Sequence, residues 1–275
     1  MISVLVLTFN EEANLPGCLD SVSFSDDVVV FDSHSSDGTV EVATFRGARV
    51  ITRSFDDYGS QRQAALEMGN FRHPWLLVLD ADERVDSVLA EECAAVAMGR
   101  DGGHAGFRIR RKDHFIDGNW IPRSTLYPTW HLRFFKVAGA SYERRAVHEH
   151  PVVQGTIGRL KGHLLHYSFN KGMEEWREKH IRYAKLEAAE ALAMTTQAID
   201  WPGILHSDPA RRRRALKALS YRVPLRGPAR FAYMMAVRLA FLDGWSGIRY
   251  SWMISRYESW IQDNRRALRG KHGAA

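Results

Sequence analysis

The sequence predicts an α/β protein, with a mostly parallel sheet flanked by helices and a helical, basic C-terminal appendage. Three observations carry this reading. Short β-rich apolar runs alternate with helical patterns up to residue 80, as right-handed crossovers between parallel strands require. Three of those runs end in polar residues, at Thr8, Asp32 and Asp80, where a parallel sheet binds its ligands. From Trp201 onward 15 Lys and Arg face 4 Asp and Glu, so a tail of net +11 follows a front of net −5. The natural division is 1–170 for the sheet domain and 171–275 for the helical region.

Taken in order, Ile2–Leu7 is the first strand and ends in Thr8-Phe9-Asn10-Glu11-Glu12. A helix follows with Leu15, Cys18, Leu19 and Val22 on one face. The second strand, Val28–Phe31, runs into Asp32-Ser33, and Ser35 to Gly38 form a polar turn before a helix from about Thr39 to Arg46. Arg49–Thr52 is a third short strand. A helix over about Ser60–Met68 closes at Gly69. The fourth strand, Leu76-Leu77-Val78-Leu79, breaks into Asp80-Ala81-Asp82.

Beyond it, an Ala- and Glu-rich helix spans Asp86 to Met98, and Asp101-Gly102-Gly103 is a loop. Gly106–Lys112 and Trp130–Lys136 read as strands with interleaved arginines. The aromatic loop between them, Phe115–Pro128, is long enough to expect a functional part, an acceptor site or lid. Glu143–His150 and Gly158–Tyr167 follow, then an amphipathic helix over Gly172–Thr196 bearing Trp176, Ile181, Tyr183 and Leu186. Trp201-Pro202-Gly203 breaks the chain. The tail opens on Arg211 to Arg214 and reads helical to about Leu268, with breaks at Pro224, Gly227-Pro228 and Asp243-Gly244.

Composition narrows the classes. Cys18 and Cys93 are the only cysteines and show no paired spacing, which points to a reducing compartment without a disulfide or zinc framework. Met1 leads straight into an apolar strand, with no basic n-region or cleavage site. The longest apolar run of the tail, Phe231 to Leu242, is interrupted by Arg238 and falls short of the roughly 20 residues a membrane span needs. No G-x-G-x-x-G follows the first strand and no G-x-x-x-x-G-K-[ST] occurs, so a dinucleotide or P-loop site is not expected.

Asp80 and Asp82 carry the chemistry. Carboxylates gathered at a strand end commonly hold a hard cation through oxygen, and such a cation often carries a phosphate. A strand-end acid such as Asp32 can accept hydrogen bonds from a base or ribose. His148 and His150 share one face of a probable strand and with His163 could be read as a zinc site, but no His-Glu-x-x-His accompanies them, and ordinary hydrogen bonding is the simpler role. Fifteen cations with interleaved aromatics in the tail suit an anionic membrane face or nucleic-acid phosphates. The amphipathic stretch Ala229–Leu242, with Trp245 and Trp252, suits interfacial burial.

The stretches Val4 to Glu12, Val28 to Asp32 with Ser36-Asp37-Gly38-Thr39, and Leu77 to Glu83 resemble family 2 glycosyltransferases of the GT-A (Rossmann-like) fold. Trp120-Ile121, Tyr127-Pro128, Leu132 to Phe135, Val147-His148-Glu149, Gly158 to Lys161, Leu164 to Ser168 and Phe241 to Trp245 extend the resemblance. They are similar to the lipopolysaccharide core-biosynthesis β-1,4-glucosyltransferase branch, over roughly residues 1–250.

The resemblance implies an inverting transfer of a hexose, glucose from a UDP-sugar, to a cell-envelope glycan. It implies nucleotide contacts from Thr8, Asn10, Glu11, Asp32, Gln61 and Asp80. Asp82 and His166 would hold Mg²⁺ or Mn²⁺, and Glu149 would be the catalytic base, with Glu143 the runner-up. The partners expected are the nucleotide sugar, a glycan or lipid-linked acceptor and an anionic membrane surface, at the cytoplasmic face of the inner membrane; nucleic acid is not expected. Two departures stand out: Gln63 replaces a common Asn, and Thr129-Trp130-His131 differs on the acceptor side. A nucleotidyltransferase and a non-catalytic sugar-nucleotide or RNA-binding module are the alternatives. The first needs a glycine- and arginine-rich diphosphate loop that Thr8–Asn14 lacks, and salt-sensitive RNA binding without donor turnover would mark the second.

Overall fold

A computed structural model describes residues 1–142 and 150–272. The chain forms two compact units, one of residues 1–120 and 127–171, the other of residues 121–126 and 172–275.

The first unit is built on an eight-stranded sheet. Its parallel half consists of β1 (Ser3–Thr8), β2 (Asp27–Asp32), β3 (Arg49–Thr52) and β4 (Trp75–Asp80), linked by α1 (Leu15–Ser21), α2 (Thr39–Phe45) and α3 (Tyr58–Met68). The second half adds β5 (Glu83–Val85), α4 (Ser87–Ala97), β6 (Gly106–Asp113), β7 (Thr129–Lys136) and, after the short pair β8 (Ser141–Tyr142) and β9 (Pro151–Val152), β10 (Ile157–His166). The order is β3-β2-β1-β4-β7-β6-β10-β5. Strands β1 to β4, β6 and β10 run one way, while β7 and β5 are antiparallel to their neighbours.

Strands covered on both sides need apolar residues on both faces, and Trp75 to Leu79 are accordingly all buried. One face, with Val4, Val6, Leu77 and Leu79, packs with Leu15, Cys18, Leu89 and Cys93 of α1 and α4. The other, with Leu5, Val29, Leu76 and Val78, packs with Ala65 of α3. Gly162 lets α4 approach β10, since a Cβ there would lie 2.4 Å from the Leu89 backbone nitrogen. Asp82 lies in the turn before β5, which Glu83 opens by pairing with β10, and Glu83 has no exposed surface.

The second unit is helical: α5 (Gly172–Thr196), α6 (Trp201–Ile204), α7 (Pro209–Ser220), α8 (Arg226–Ala236), a 3₁₀ turn at Ala240–Asp243 and α9 (Gly244–His272). Small residues Ala184, Ala188 and Ala191 are buried along α5, where Ala184 and Ala191 meet Tyr221 and Ile261. Gly227-Pro228 does not break the tail as the sequence suggested; both lie in the first turn of α8, where a missing N–H costs nothing. Gly227 also allows close approach to α9, a Cβ there falling 2.6 Å from the Ser255 carbonyl. Among the described residues, no helix is long and apolar enough to cross a membrane.

Candidate active site

The sheet order brings the three polar strand ends together. β1 lies between β2 and β4, with Thr8 opposite Asp32 and Leu7 opposite Asp80. Asp32 is fully buried, and its carboxylate accepts from the Thr8 hydroxyl at 2.7 Å, the Ser35 hydroxyl at 2.5 Å and the Ser35 N–H at 2.7 Å. In this arrangement Asp32 orders the neighbouring loops and offers no open acceptor surface.

Those loops are clasped to each other. Asn10 takes a left-handed conformation (φ 54°), which Asn tolerates well. Its N–H donates to the Ser35 hydroxyl at 2.8 Å, and its side-chain oxygen accepts from the Ser36 N–H at 2.7 Å. Glu11 N–H donates to the Thr39 hydroxyl at 2.7 Å, and the Glu12 carboxylate accepts the Gly38 N–H at 3.0 Å. The Glu11 carboxylate also holds Lys171 at 2.6 Å and Asn14 at 2.7 Å. Burial raises the Glu11 pKa, with Lys171 and Asn14 offsetting part of the rise. Gln61 is buried, donating to the Ser33 hydroxyl at 3.0 Å and accepting from Arg53 at 2.6 Å. Gln63 accepts the Tyr142 N–H at 2.8 Å and donates to Glu67, a structural use of the unexpected side chain.

At the end of β4, Asp80 is neutralised by two arginines that are distant in sequence. Arg62 of α3 meets one carboxylate oxygen at 2.8 Å and Arg133 of β7 the other at 2.5 Å. Burial pushes its pKa up, but the two guanidiniums outweigh this and hold it well below the usual carboxylate range. Glu83 closes the turn by accepting the Asp80 N–H at 3.0 Å and Arg133 at 3.3 Å.

Antiparallel pairing of β5 with β10 sets Glu83 opposite His166 and so brings Asp82 to the histidine. His166 Nε2 lies 3.2 Å from the Asp82 carboxylate, and Nδ1 lies 2.6 Å from Asp113. Burial alone would lower the His166 pKa; Asp82 and Asp113 overcome it and raise the value to about 9. Nearby His131 goes the opposite way, to about 3, through burial and the positive Arg111 and Arg133. Its Nε2 is buried with no hydrogen-bond partner among the described residues.

The residues present fit a divalent ion shared with a diphosphate. Among the described residues no three acidic, His or Cys side chains gather as a cage. Mg²⁺ and similar ions instead take one or two protein ligands and complete their shell with phosphate oxygens and water. Asp82 offers an oxygen and His166 Nε2 a nitrogen beside it. The Asp113 carboxylate on Nδ1 is the partner that usually orients a metal-bound histidine. A proton on Nε2 and a metal ion are alternatives for the same position.

Thus the structure assembles Thr8, Asn10, Glu11, Asp32 and Gln61 as one hydrogen-bonded loop cluster, and Asp80, Asp82 and His166 beside it. Glu143, His148 and Glu149 lie outside the described residues. Sequence reasoning passed over Glu83, Arg62, Arg133 and Asp113. The signals were slight: Arg133 inside β7, Glu83 and Asp113 at strand ends and Arg62 on α3, charges whose burial costs stability unless they pair.

The family described as Glycosyl transferase family 2 matches residues 3–157. A lipopolysaccharide core biosynthesis glycosyltransferase, LpsC of Rhizobium meliloti, is 30% identical over 194 residues, covering 68% of this chain and 70% of the relative. An uncharacterised glycosyltransferase of Rickettsia typhi is 37% identical over 92 residues, 33% of this chain and 31% of its own length. Among solved structures, the mannosyltransferase PcManGT from Pyrobaculum calidifontis in complex with GDP-Man and Mn²⁺ aligns with TM-score 0.48 and 15% identity, over 96% of this chain and 86% of that one. With its mostly parallel sheet and clustered strand ends, the chain belongs to glycosyl transferase family 2, of the GT-A fold.

Proposed function

We propose that the protein transfers a hexose, glucose from UDP-glucose, to a hydroxyl of a lipopolysaccharide-core or related cell-envelope glycan, inverting the anomeric centre. The observation that carries the reading is the Asp82–His166 pair set beside the loop cluster of Thr8, Asn10 and Asp32. The printed name of the Rhizobium relative supports the acceptor class.

Thr8, Asn10 and Glu11 face the nucleotide, held in place by Asp32, Ser35 and Thr39. Gln61 steadies the Ser33 side of the same cluster, and Asp80, kept ionised by Arg62 and Arg133, supports the turn that presents Asp82. Held by Asp82 and His166, Mg²⁺ or Mn²⁺ would act as a Lewis acid toward the leaving diphosphate. Asp113 fixes the His166 ring so that Nε2 points to Asp82. The acceptor oxygen attacks the anomeric carbon in line as the carbon–oxygen bond to the diphosphate breaks. Glu149 takes the hydroxyl proton, with Glu143 as the alternative base.

The second unit supports contact with an anionic membrane surface at the cytoplasmic face of the inner membrane. Val237, Leu242 and Trp245 are 66%, 57% and 71% exposed in a unit of strong positive charge. Lipids at such a face favour basic segments by about 1 kcal/mol per Lys or Arg near the surface.

The test is donor hydrolysis and transfer over a panel of nucleotide sugars, with and without divalent metal, for wild type and Asp82→Ala. Metal-dependent turnover of one donor, lost in the variant while its fold persists, is the expected result. Absence of turnover together with absence of metal-dependent nucleotide binding would overturn the reading.

A further inference from the structure

We infer that the cation-bearing face of the β7-β6-β10 half-sheet binds an anionic saccharide, one carrying phosphate or carboxylate groups, and leads it to the transfer site. The inference rests on the glycosyltransferase reading and deepens it by naming the chemistry of the acceptor.

One face of this half-sheet is covered, because Leu160, Leu164, Phe107 and Ile109 join the core that contains Leu89 and Cys93 of α4. Side chains alternate along a strand, so Arg108, Arg110 and Lys112 of β6 project from the opposite face. Trp130 marks that face: the guanidiniums of Arg110 and Arg159 lie 5.4 and 5.0 Å from its ring centre. Arg159 pairs in register with Arg108, and Lys161 follows in an irregularity of β10 between Arg159 and His163. That irregularity is pinned from the far side, where Glu92 of α4 accepts the Lys161 and Gly162 N–H groups at 2.9 Å.

Five cations therefore share one surface about two strands wide. Neighbouring strands are about 4.8 Å apart and alternate residues about 6.6 Å, so the charges form a close grid. Arg108, Arg159 and Lys161 are exposed. Among the described residues, none of the five cations forms an ion pair. Arg62, Arg111 and Arg133 in the same unit each have a carboxylate within 3.0 Å. The Nε of Arg110 is buried without a hydrogen-bond partner. Clustered like charges without counter-charges are unfavourable in the unliganded protein, and an anion that bridges them relieves this. Arginine forks suit phosphate and carboxylate oxygens.

The aromatic rings decide against single-stranded nucleic acid, whose bases need open faces for stacking. Trp130 carries two guanidiniums, while Trp120 carries Lys112 at 5.0 Å and the edge-on ring of Tyr127 at 5.1 Å. The rings orient cations and leave the ligand's hydroxyls and anionic groups to be met by polar side chains. Direction follows from the strands. β6 runs from Arg108 to Asp113 over about 17 Å, and β10 runs from Arg159 to His166. An extended saccharide lying along them reaches the carboxyl ends of β6 and β10, beside which the transfer site lies.

The experiment uses the full-length protein and deacylated lipopolysaccharide core oligosaccharide in four forms: native, dephosphorylated, carboxyl-reduced, and both. Binding is measured by titration calorimetry at two salt concentrations, beside UDP affinity and donor hydrolysis. We expect salt-sensitive binding of native material, and loss with removal of phosphate or of carboxylate names the anion that is read. The triple variant Arg108→Gln/Arg159→Gln/Lys161→Gln should bind at least about 10-fold more weakly with UDP affinity unchanged, as charge-assisted contacts are lost. Arg108→Lys/Arg159→Lys should recover most of the binding and control for folding.

Equal binding of the fully neutralised oligosaccharide, or unchanged binding by the triple variant, would overturn the inference. Tighter, competing binding of a ten-nucleotide RNA would overturn it as well. Wild-type protein that binds native oligosaccharide but never turns over a nucleotide sugar would count against the transferase reading and leave the anionic face standing.

Discussion

Glu83 offers the sharpest test of how the acidic turn is held. Its two oxygens accept the Asp80 N–H and the Arg133 guanidinium, and it has no exposed surface. In Glu83→Gln the amide NH₂ must point at one of these donors, so one hydrogen bond is lost and one buried negative charge disappears. A hydrogen bond to a charged group is worth roughly 1.5–3 kcal/mol, and breaking a buried pair about 3–5 kcal/mol. Asp80 stays near to share Arg133, so the lower part of that range applies, about 3 kcal/mol. In a unit of this size that corresponds to a fall in Tm of about 6–12 °C. Scanning calorimetry reads it, with UDP titration on the same samples. A double-mutant cycle with Arg133→Met should show coupling of about 1–3 kcal/mol, since the residues share one network. A Tm within about 2 °C of wild type and no coupling would refute the reasoning, because Glu83 would then be a neutral, replaceable side chain.

Glu149→Gln should lower transfer by about 10²- to 10⁴-fold with donor affinity intact in steady-state assays; lost donor binding would reassign the residue. Gly162→Ala should destabilise the first unit by about 3 kcal/mol in urea unfolding, since the added methyl meets the backbone of Leu89 and neither side can yield cheaply. His180 is stacked on Trp176 at 3.7 Å, with Nδ1 2.7 Å from the Trp176 carbonyl, and burial lowers its pKa to about 4. Between pH 6.5 and 4 the unfolded chain takes up a proton that the folded one refuses. Stability is therefore full above pH 6.5 and falls with pH through this window, by up to about 3 kcal/mol. Urea midpoints measured across pH should show this slope, and His180→Phe should flatten it.

The sheet was legible because its strands are apolar on both faces and short, so Ile2–Leu7 and Leu76–Leu79 could hardly be anything else. Asp82 and His166 were legible only as members of a motif, since 84 positions separate them and no local rule joins them. What joins them is β5, three residues long, pairing with the end of β10. So short a strand carries no periodicity, and nothing in the local sequence marks Glu83 as buried. The partners of Asp80 were hidden for a related reason. Arg62 and Arg133 come from a helix and a strand whose other residues are ordinary, and only the tertiary fold shows that their charges converge. Gly227-Pro228 misled in the opposite sense, since the same dipeptide that ends a helix can open one.

The clasp between the first two loops has a consequence for engineering. Asn10, Glu11 and Glu12 are satisfied by Ser35, Ser36, Gly38 and Thr39, and the reverse is equally true. Grafting either loop alone from a relative with a different donor would strand several polar groups and carry a penalty unrelated to sugar recognition. The two loops should therefore be transplanted as a matched pair, and single-loop chimeras will under-report how exchangeable the proposed nucleotide site is.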